Sequence, residues 1–245
     1  MATDQSNQPD DAAGTIDLES GPSAPASPWY RRPRNLAIVG LLVAAMIAAL
    51  VFVVGRDSAP SGSGASAPLR ALAPGESIQS YFKDNDITAT PVRPGEPGAP
   101  AITFPMPPGW SDAGPDTPEG AYGAAFFDGS VDEEFPSSVV ILLSRLVGEA
   151  DPAKILEYAP GELQGLPDYR PVSAPKRSTL SGFEAVQLGG LYTRDGAERI
   201  IAQKTVMIPS QTGLYVLQMN ADGPKAEAPE VQAATGVLDE AKITP

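Results

Sequence analysis

The stretch SSVVILLSRLV at residues 137–147 is the strongest strand signal in the chain, and it decides the predicted fold. Alternate residues of a strand point to opposite faces, so Val139 and Leu143 share one face while Val140 and Leu142 share the other. Both faces are therefore apolar. A strand of this kind is expected at the centre of a sheet, with other elements packed on both of its sides.

Outward from this strand, the C-terminal half predicts three further strands, at roughly residues 182–192, 198–208 and 213–221. Their connections, TRDGA at 193–197 and PSQT at 209–212, are short, which predicts an antiparallel meander. The last of these strands has one apolar face, formed by Tyr215, Leu217, Met219 and Ala221. Two shorter candidates lie upstream, at residues 102–104 and 121–127.

Three helices are predicted around these strands. Asp151 and Pro152 have the pattern of an N-cap and a first helical residue, and Pro160 must kink or break the helix that they begin. Apolar spacing predicts one helix near residues 75–86 and another from about Pro229, with a buried stripe of Val231, Ala234, Leu238 and Ala241. This pattern predicts an α+β fold: an α/β/α sandwich with a mostly antiparallel sheet and helices on both sides.

The N-terminal part contains LAIVGLLVAAMIAALVFVVG at residues 36–55, which has no charged or polar side chain. At a rise of about 1.5 Å per residue, this stretch would form a helix of about 30 Å, enough to cross a bilayer. Trp29, Tyr30 and a cluster of arginines precede it, which places the N-terminus inside. A cleaved signal peptide is the alternative, but its apolar region should be only about 7–15 residues long, and Pro68 follows the small-residue motif at 65–67.

These features divide the chain into four parts. They are a disordered cytoplasmic tail at 1–35, a transmembrane signal anchor at 36–55, a flexible linker at 56–73 and an extracytoplasmic domain at 74–245. The predicted localisation is the plasma membrane, as a single-pass protein with a cytoplasmic N-terminus. Its C-terminal domain would then lie in a periplasm-like space or at the cell surface.

The composition excludes several classes of chemistry. The chain of 245 residues contains no Cys and no His, so Cys nucleophiles and imidazole catalysis are excluded, and the usual ligands of zinc, haem and iron–sulfur sites are missing. The formal net charge of −13 argues against a nucleic-acid partner and against an anionic membrane surface. No cofactor is expected, and the charge is interpreted as keeping an exposed domain in solution.

Five segments resemble the LpqN family of mycobacterial and related actinobacterial envelope lipoproteins. They are ITFPMPPGW at 102–110, SRLVGEADP at 144–152, LSGFEAVQLGGLY at 180–192, KTVMIP at 204–209 and GLYVLQ at 213–218. The resemblance covers about residues 74–243. It implies a PsbP-like α/β/α sandwich in a mycolic-acid-rich envelope, no catalytic motif, and roles in lipid handling or protein contact. The chain departs from the family in having no Cys to carry a lipid.

One possible catalytic pattern needs to be weighed. Ser173 and Lys176 match the S-x-x-K motif, in which a helix places the Ser and the Lys one turn apart. Pro171 and Pro175 instead predict a loop here, so this catalytic geometry is not expected. Pairs of carboxylates, as in glycosidases, could be drawn from 30 acidic residues, and the sequence selects none of them.

Two acidic runs could attract a hard cation, namely DND at residues 84–86 and DEE at 132–134. Neither has the alternating ligands and central glycine of a calcium loop. They are interpreted as a helix end and an acidic loop.

Aromatic side chains are expected mostly in the core, with a minority lining an apolar groove between the sheet and a helix. The candidates for that groove are Trp110, Phe135, Tyr192 and Tyr215. Gly189 and Gly190 interrupt a strand, which predicts either a bulge or a close backbone approach. Such glycines would suit a groove, and they would equally suit close packing of a helix.

Two functional hypotheses follow. The first is a membrane-anchored, non-enzymatic binding module of the cell envelope that contacts envelope lipids or lipid-transport and assembly proteins. The second is a transmembrane adaptor or sensor whose cytoplasmic tail, with candidate phosphorylation sites at Thr15, Ser20, Ser23 and Ser27, reports an outside interaction. The oligomeric state does not follow from the sequence.

Overall fold

The computed structural model describes residues 69–245, which contain two antiparallel sheets. The predictions for residues 1–68, including the tail, the apolar span and most of the linker, lie outside the described residues. The larger sheet contains β1 (Thr88–Pro91), β3 (Trp110–Asp112), β4 (Gly123–Phe127), β5 (Ser138–Val147), β6 (Arg170–Leu180), β7 (Phe183–Arg194), β8 (Ala197–Ser210) and β9 (Gly213–Pro224). Its strand order is β3-β4-β5-β9-β8-β7-β6, and β1 pairs with the C-terminal end of β5.

The second sheet is a short two-stranded pair of β2 (Ala101–Thr103) and β10 (Lys242–Thr244). The strand predicted at residues 102–104 therefore exists, but it pairs with the C-terminus and does not join the main sheet. Ile102 and Ile243 are buried opposite each other, which closes one end of the core. A three-residue C-terminal strand has too little sequence pattern to be predicted without its partner.

Strand β5 is central, as its two apolar faces predict. It pairs with β4 and β1 along one side and with β9 along the other. Val139 and Leu143 belong to the main core cluster, whereas Val140 and Leu142 pack on the opposite face of the sheet. The fold is thus α+β with a mostly antiparallel sheet.

The predicted meander is confirmed, with longer strands than expected. A two-residue turn at Asp195-Gly196 joins β7 to β8, and both residues have positive φ, at 50° and 80°. Two adjacent positive-φ residues match the twist of a tight hairpin, and Asp-Gly is a favoured sequence for that turn. This turn fixes which residues of β7 and β8 face each other.

Helices pack on both faces of the sheet, but unequally. Helix α1 (Ile78–Asp84), α2 (Pro152–Tyr158) and α3 (Pro160–Gln164) cover one face. The other face is covered by the single helix α4 (Ala228–Leu238), through Val231, Ala234 and Leu238. Asp151 caps α2 by accepting hydrogen bonds from the amides of Ala153 and Lys154, and Pro160 separates α2 from α3, as the sequence predicts.

One prediction about the backbone is wrong. The segment 171–176, predicted as a loop because of Pro171 and Pro175, belongs to the edge strand β6. An edge strand uses only one row of its backbone groups for pairing, so a proline without an N–H is tolerated there. The register of β6 against β7 shifts on both sides of Ser173, which accommodates the irregular backbone.

Gly236 lies in the interior of α4 on its exposed side, where an added Cβ would meet no atom within 4 Å. Replacing it with Ala is expected to raise the free energy of unfolding by about 0.5–1 kcal/mol, because Gly loses more backbone entropy in a helix. Urea unfolding followed by circular dichroism would measure the change. A loss of stability would contradict this account of α4.

Candidate ligand groove between the last helix and the sheet

A groove lies between α4 and the sheet, with a volume of about 520 Å³. It exists because α4 packs over β8 and β9 and leaves β6 and β7 without helical cover on this face. Most of its lining is apolar, and its volume falls within the range of small-molecule sites, roughly 300–1,000 Å³.

The floor of the groove is a row of small residues on three adjacent strands. Gly189 on β7 pairs with Ala202 on β8, which pairs in turn with Ala221 on β9. All three line the groove. Larger side chains, Ile200, Lys204 and Met219, lie beside this row on the same face, and the small residues between them leave the depression.

One wall and the rim are also apolar. Ala228, Pro229 and Val231 of α4 line one side, together with the more polar Gln232 and Thr235. On the opposite side, Val172 of the edge strand is 65% exposed at the rim.

One end of the groove is polar. Lys176 on β6, Gln187 on β7 and Lys204 on β8 occupy one row across the sheet and share the groove face. Lys204 is nearly buried and forms an ion pair with Asp239, the C-cap of α4, whose side chain is 49% exposed. This pair also ties the C-terminal end of α4 to the sheet.

Gly189 and Gly190 serve different purposes: the groove applies to Gly189 and a close approach applies to Gly190, whose neighbours do not belong to a helix. Gly189 faces the groove. Gly190 faces the opposite side of the sheet, where an added Cβ would lie 2.4 Å from the ring of Tyr169 and 2.7 Å from the carbonyl oxygen of Arg170. The irregular pairing at this point is carried by β6.

The four aromatic residues proposed for the groove lie elsewhere, and none of them lines it. Trp110 packs against Phe127 with ring centroids 5.7 Å apart, and the ring of Phe135 stacks under the guanidinium of Arg194 at 4.0 Å. Tyr192 and Tyr215 are buried at separate places in the core. The structure does not bring the four together.

Tyr192 belongs to a buried ionic network. Its hydroxyl donates to Asp222 at 2.7 Å, and the same carboxylate accepts two hydrogen bonds from Arg199 at 2.6 and 3.0 Å. Burial, followed by the neighbouring charge of Asp222, holds the pKa of Tyr192 well above its usual value. Arg199 is 2% exposed and also contacts Asp132 of the acidic loop at 3.2 Å.

A second buried carboxylate ties the same loop to the start of α4. Glu227, which immediately precedes α4, accepts hydrogen bonds from the backbone N–H of Val131 at 2.6 Å and from the hydroxyls of Ser130 and Ser137. Both ends of the helix that walls the groove are therefore fixed by carboxylates, Glu227 at one end and Asp239 at the other.

The candidate catalytic and cation motifs take structural roles. Ser173 and Lys176 both line the groove because the bulge in β6 brings them to one face, but within residues 69–245 no hydrogen bond joins them, as a nucleophile and its base require. Asn85 is the C-cap of α1, and Asp132 pairs with Arg199. No group of three metal-type ligands occurs in the described part of the chain.

The site residues predicted from the sequence do not include the residues that form the floor of the groove. The available signal was the Asp195-Gly196 turn, because a two-residue turn places Gly189 opposite Ala202. A row of small residues in neighbouring strands would then have stood out.

The arrangement of strands and helices can be compared with known proteins. A family model described as "Probable lipoprotein LpqN" matches residues 74–244, which is more than half of the chain. The chain belongs to the LpqN family. Lipoprotein LpqN of Mycobacterium tuberculosis is 42% identical over 177 residues, covering 72% of this chain and 77% of that protein.

The LpqN relationship extends to structure. The crystal structure of M. tuberculosis LpqN, which is described as involved in cell envelope biogenesis, matches with a TM-score of 0.66 at 42% identity over 71% of this chain and 100% of that chain. A proline-rich 28 kDa antigen homolog of Mycobacterium leprae is 24% identical over 234 residues, covering 93% of this chain and 83% of that protein. None of these descriptions names an enzymatic reaction.

Membership of the LpqN family corrects the localisation predicted from the sequence. The family model and the M. tuberculosis relative are named for lipoproteins, a class held at membranes by lipid, which overturns the single-pass topology with a cytoplasmic N-terminus. The apolar length of residues 36–55 measures hydrophobicity and does not by itself distinguish modes of attachment. Among residues 69–245, no helix is long and apolar enough to span a membrane.

Proposed function

We propose that this chain is a non-enzymatic binding module of the cell envelope that holds the apolar chain of an envelope lipid. The carrying observation is the groove of about 520 Å³ between α4 and the small-residue row Gly189, Ala202 and Ala221. An apolar side chain of a lipid-transport or assembly protein could occupy the same space. The PsbP-like sandwich implied by the family resemblance would serve as the rigid frame.

The energetics favour an apolar occupant. Each methylene removed from water contributes about 0.8 kcal/mol, so an acyl chain lying along the small-residue row gains affinity with every carbon that it buries. The groove is formed before binding, since rigid strands supply its floor and α4 is tied down at both ends. A site formed in advance has a smaller ordering cost on binding.

The comparisons support this proposal at the level of process. The solved relative from M. tuberculosis is described as involved in cell envelope biogenesis. The alternative of a transmembrane adaptor required the single-pass topology, which membership of a lipoprotein family overturns.

Filling the groove should abolish ligand binding. Ala202→Phe places a ring over the row of small residues, and we expect the affinity for a single-chain amphiphile to fall at least about tenfold, because the methylenes that the ring displaces lose their burial. Isothermal titration calorimetry of the full-length chain with a decyl-chain amphiphile, below its micelle concentration, would measure the change.

The matched control is Ala197→Phe, which adds the same ring at an exposed position of the same strand, outside the groove. This variant should bind like the unmodified chain. Equal affinity in Ala202→Phe and the unmodified chain would overturn the groove as the binding site. Failure of the unmodified chain to bind any decyl amphiphile would overturn the lipid form of the proposal.

A further inference from the structure

The groove is polar at one end and apolar over the rest of its length. Lys176, Gln187 and Lys204 form the polar row, whereas Ile200 lies four residues from Lys204 on the same strand and the same face. Four residues of strand span about 14 Å. An amphiphile lying along β8 would therefore place its head at the lysine row and its chain towards Ile200 and the start of α4.

We infer that the head group held at this end is anionic, a carboxylate or a phosphate. The inference rests on the proposed function and adds the chemical class and the orientation of the ligand. A cationic ligand or an uncharged head group would leave Lys176 without a charge partner.

The charges at the polar end carry this inference. Lys204 is matched by Asp239, so this pair contributes no net charge. Lys176 is exposed and has no ion-pair partner among residues 69–245. The charged side chains that line this end, Lys176, Lys204 and Asp239, therefore sum to one positive charge. This local charge favours an anion at that place, even though the formal net charge of the whole chain is −13.

The geometry allows both lysines to contact one head group. Lys176 and Lys204 lie in the same row two strands apart, which is about 10 Å between their Cα atoms. Lys176 is exposed, and its side chain is long and flexible, so its ammonium group can reach towards the fixed Lys204 and contact a carboxylate or phosphate placed above Gln187. Gln187 adds an amide N–H donor between them.

The test compares decanoate, decanol and decyltrimethylammonium, which share one chain length and differ in the charge of the head. Titration calorimetry uses the full-length chain, and Ala202→Phe measures any binding outside the groove, which is then subtracted. We expect decanoate to bind about tenfold more tightly than decanol at low salt, and decyltrimethylammonium to bind most weakly. Added salt should reduce the preference for decanoate.

Titration with acetate tests whether the site binds any small anion or requires an anionic head group that carries an apolar chain. Acetate should bind at least a hundredfold more weakly than decanoate, because it lacks the chain that the groove buries. If acetate matched decanoate, the site would be a plain anion site and both the inference and the proposed function would fail.

Two variants test whether Lys176 causes the preference for decanoate over decanol. Lys176→Gln should reduce the ratio of decanoate to decanol affinity from about tenfold to about twofold, while decanol binding stays unchanged. Lys83→Gln removes an exposed lysine of α1 on the opposite face and should leave the ratio at its original value.

The failure of this inference differs from the failure of the proposed function. If decanol and decanoate bind equally, the head group is not selected by charge and only the inference is overturned. If decyltrimethylammonium binds best, Asp239 dominates the polar end and the inference is again overturned. If none of the three binds, the proposed lipid function itself is overturned.

Discussion

Replacing Arg199 with Met should lower the free energy of unfolding by about 3–5 kcal/mol, because it leaves a buried carboxylate without its cation. Arg199 is 2% exposed, and Asp222, which accepts two of its hydrogen bonds, is also buried. After the substitution only the hydroxyl of Tyr192 would donate to Asp222 among the side chains of this network. Urea unfolding at constant pH would measure the loss.

The control for Arg199 is Arg170→Met, which breaks the exposed ion pair with Glu198. An exposed pair contributes about 0–1 kcal/mol, so this variant should unfold close to the unmodified chain. The double variant Arg199→Met with Asp222→Leu should recover part of the lost stability, because it removes the unpaired charge. A loss of less than about 1 kcal/mol in Arg199→Met would show that the network does not stabilise the fold.

Gly161→Ala should lower the free energy of unfolding by about 3 kcal/mol or more, since the new methyl group collides with backbone that cannot move aside. Gly161 lies in α3, where an added Cβ would be 1.8 Å from the carbonyl oxygen of Glu76 and 2.8 Å from the Cα of Ser77. Those atoms belong to the segment that caps α1, so the collision would push α1 and α3 apart. Thermal and urea unfolding would both report the change.

Gly165→Ala provides the matched control at the other end of α3. The nearest atom to its added Cβ is the carbonyl oxygen of Gly161, at 3.6 Å, which is an ordinary contact. Its backbone is already right-handed helical, so we expect a change within about 0.5 kcal/mol. Equal effects of the two substitutions would contradict the close approach of α3 to the N-terminus of α1.

The two faces of the sheet therefore differ in how closely they are packed. The face covered by α1, α2 and α3 is closely packed. At Gly161 any side chain larger than hydrogen would displace the neighbouring backbone before α1. The face covered by α4 alone keeps a groove whose floor residues Gly189 and Ala202 are only partly buried. We therefore expect substitutions on opposite sides of the sheet to alter stability and the proposed ligand binding separately.

Several elements followed from the sequence because their signals are local. The two-sided apolar pattern of 137–147 needs no partner to be recognised, and it is the central strand β5. Asp151-Pro152 caps and starts α2 through bonds within two or three residues. The meander followed from its short connections, and its Asp-Gly turn fixes the register.

The groove could not be assigned correctly from residue type. Large aromatic side chains often line ligand sites, and on that ground the sequence predicts Trp110, Phe135, Tyr192 and Tyr215 at the groove. Tyr192 and Tyr215 are instead buried in the core, while the groove depends on residues that lack volume. A cavity is the space that side chains leave, so its position depends on how the neighbouring elements pack.

What the sequence determined by itself was the α+β class, the central strand, the antiparallel meander, and the resemblance to the LpqN family, which the comparisons bear out. Each depends on residues close together in the chain or on the order of motifs along it. Tertiary structure decided that the proline-containing segment 171–176 is a strand. At the edge of the sheet a strand pairs on one side only, so the N–H groups that its prolines lack are not needed for pairing. It also decided where the groove lies, because one helix is too narrow to cover four strands and leaves β6 and β7 open on its face.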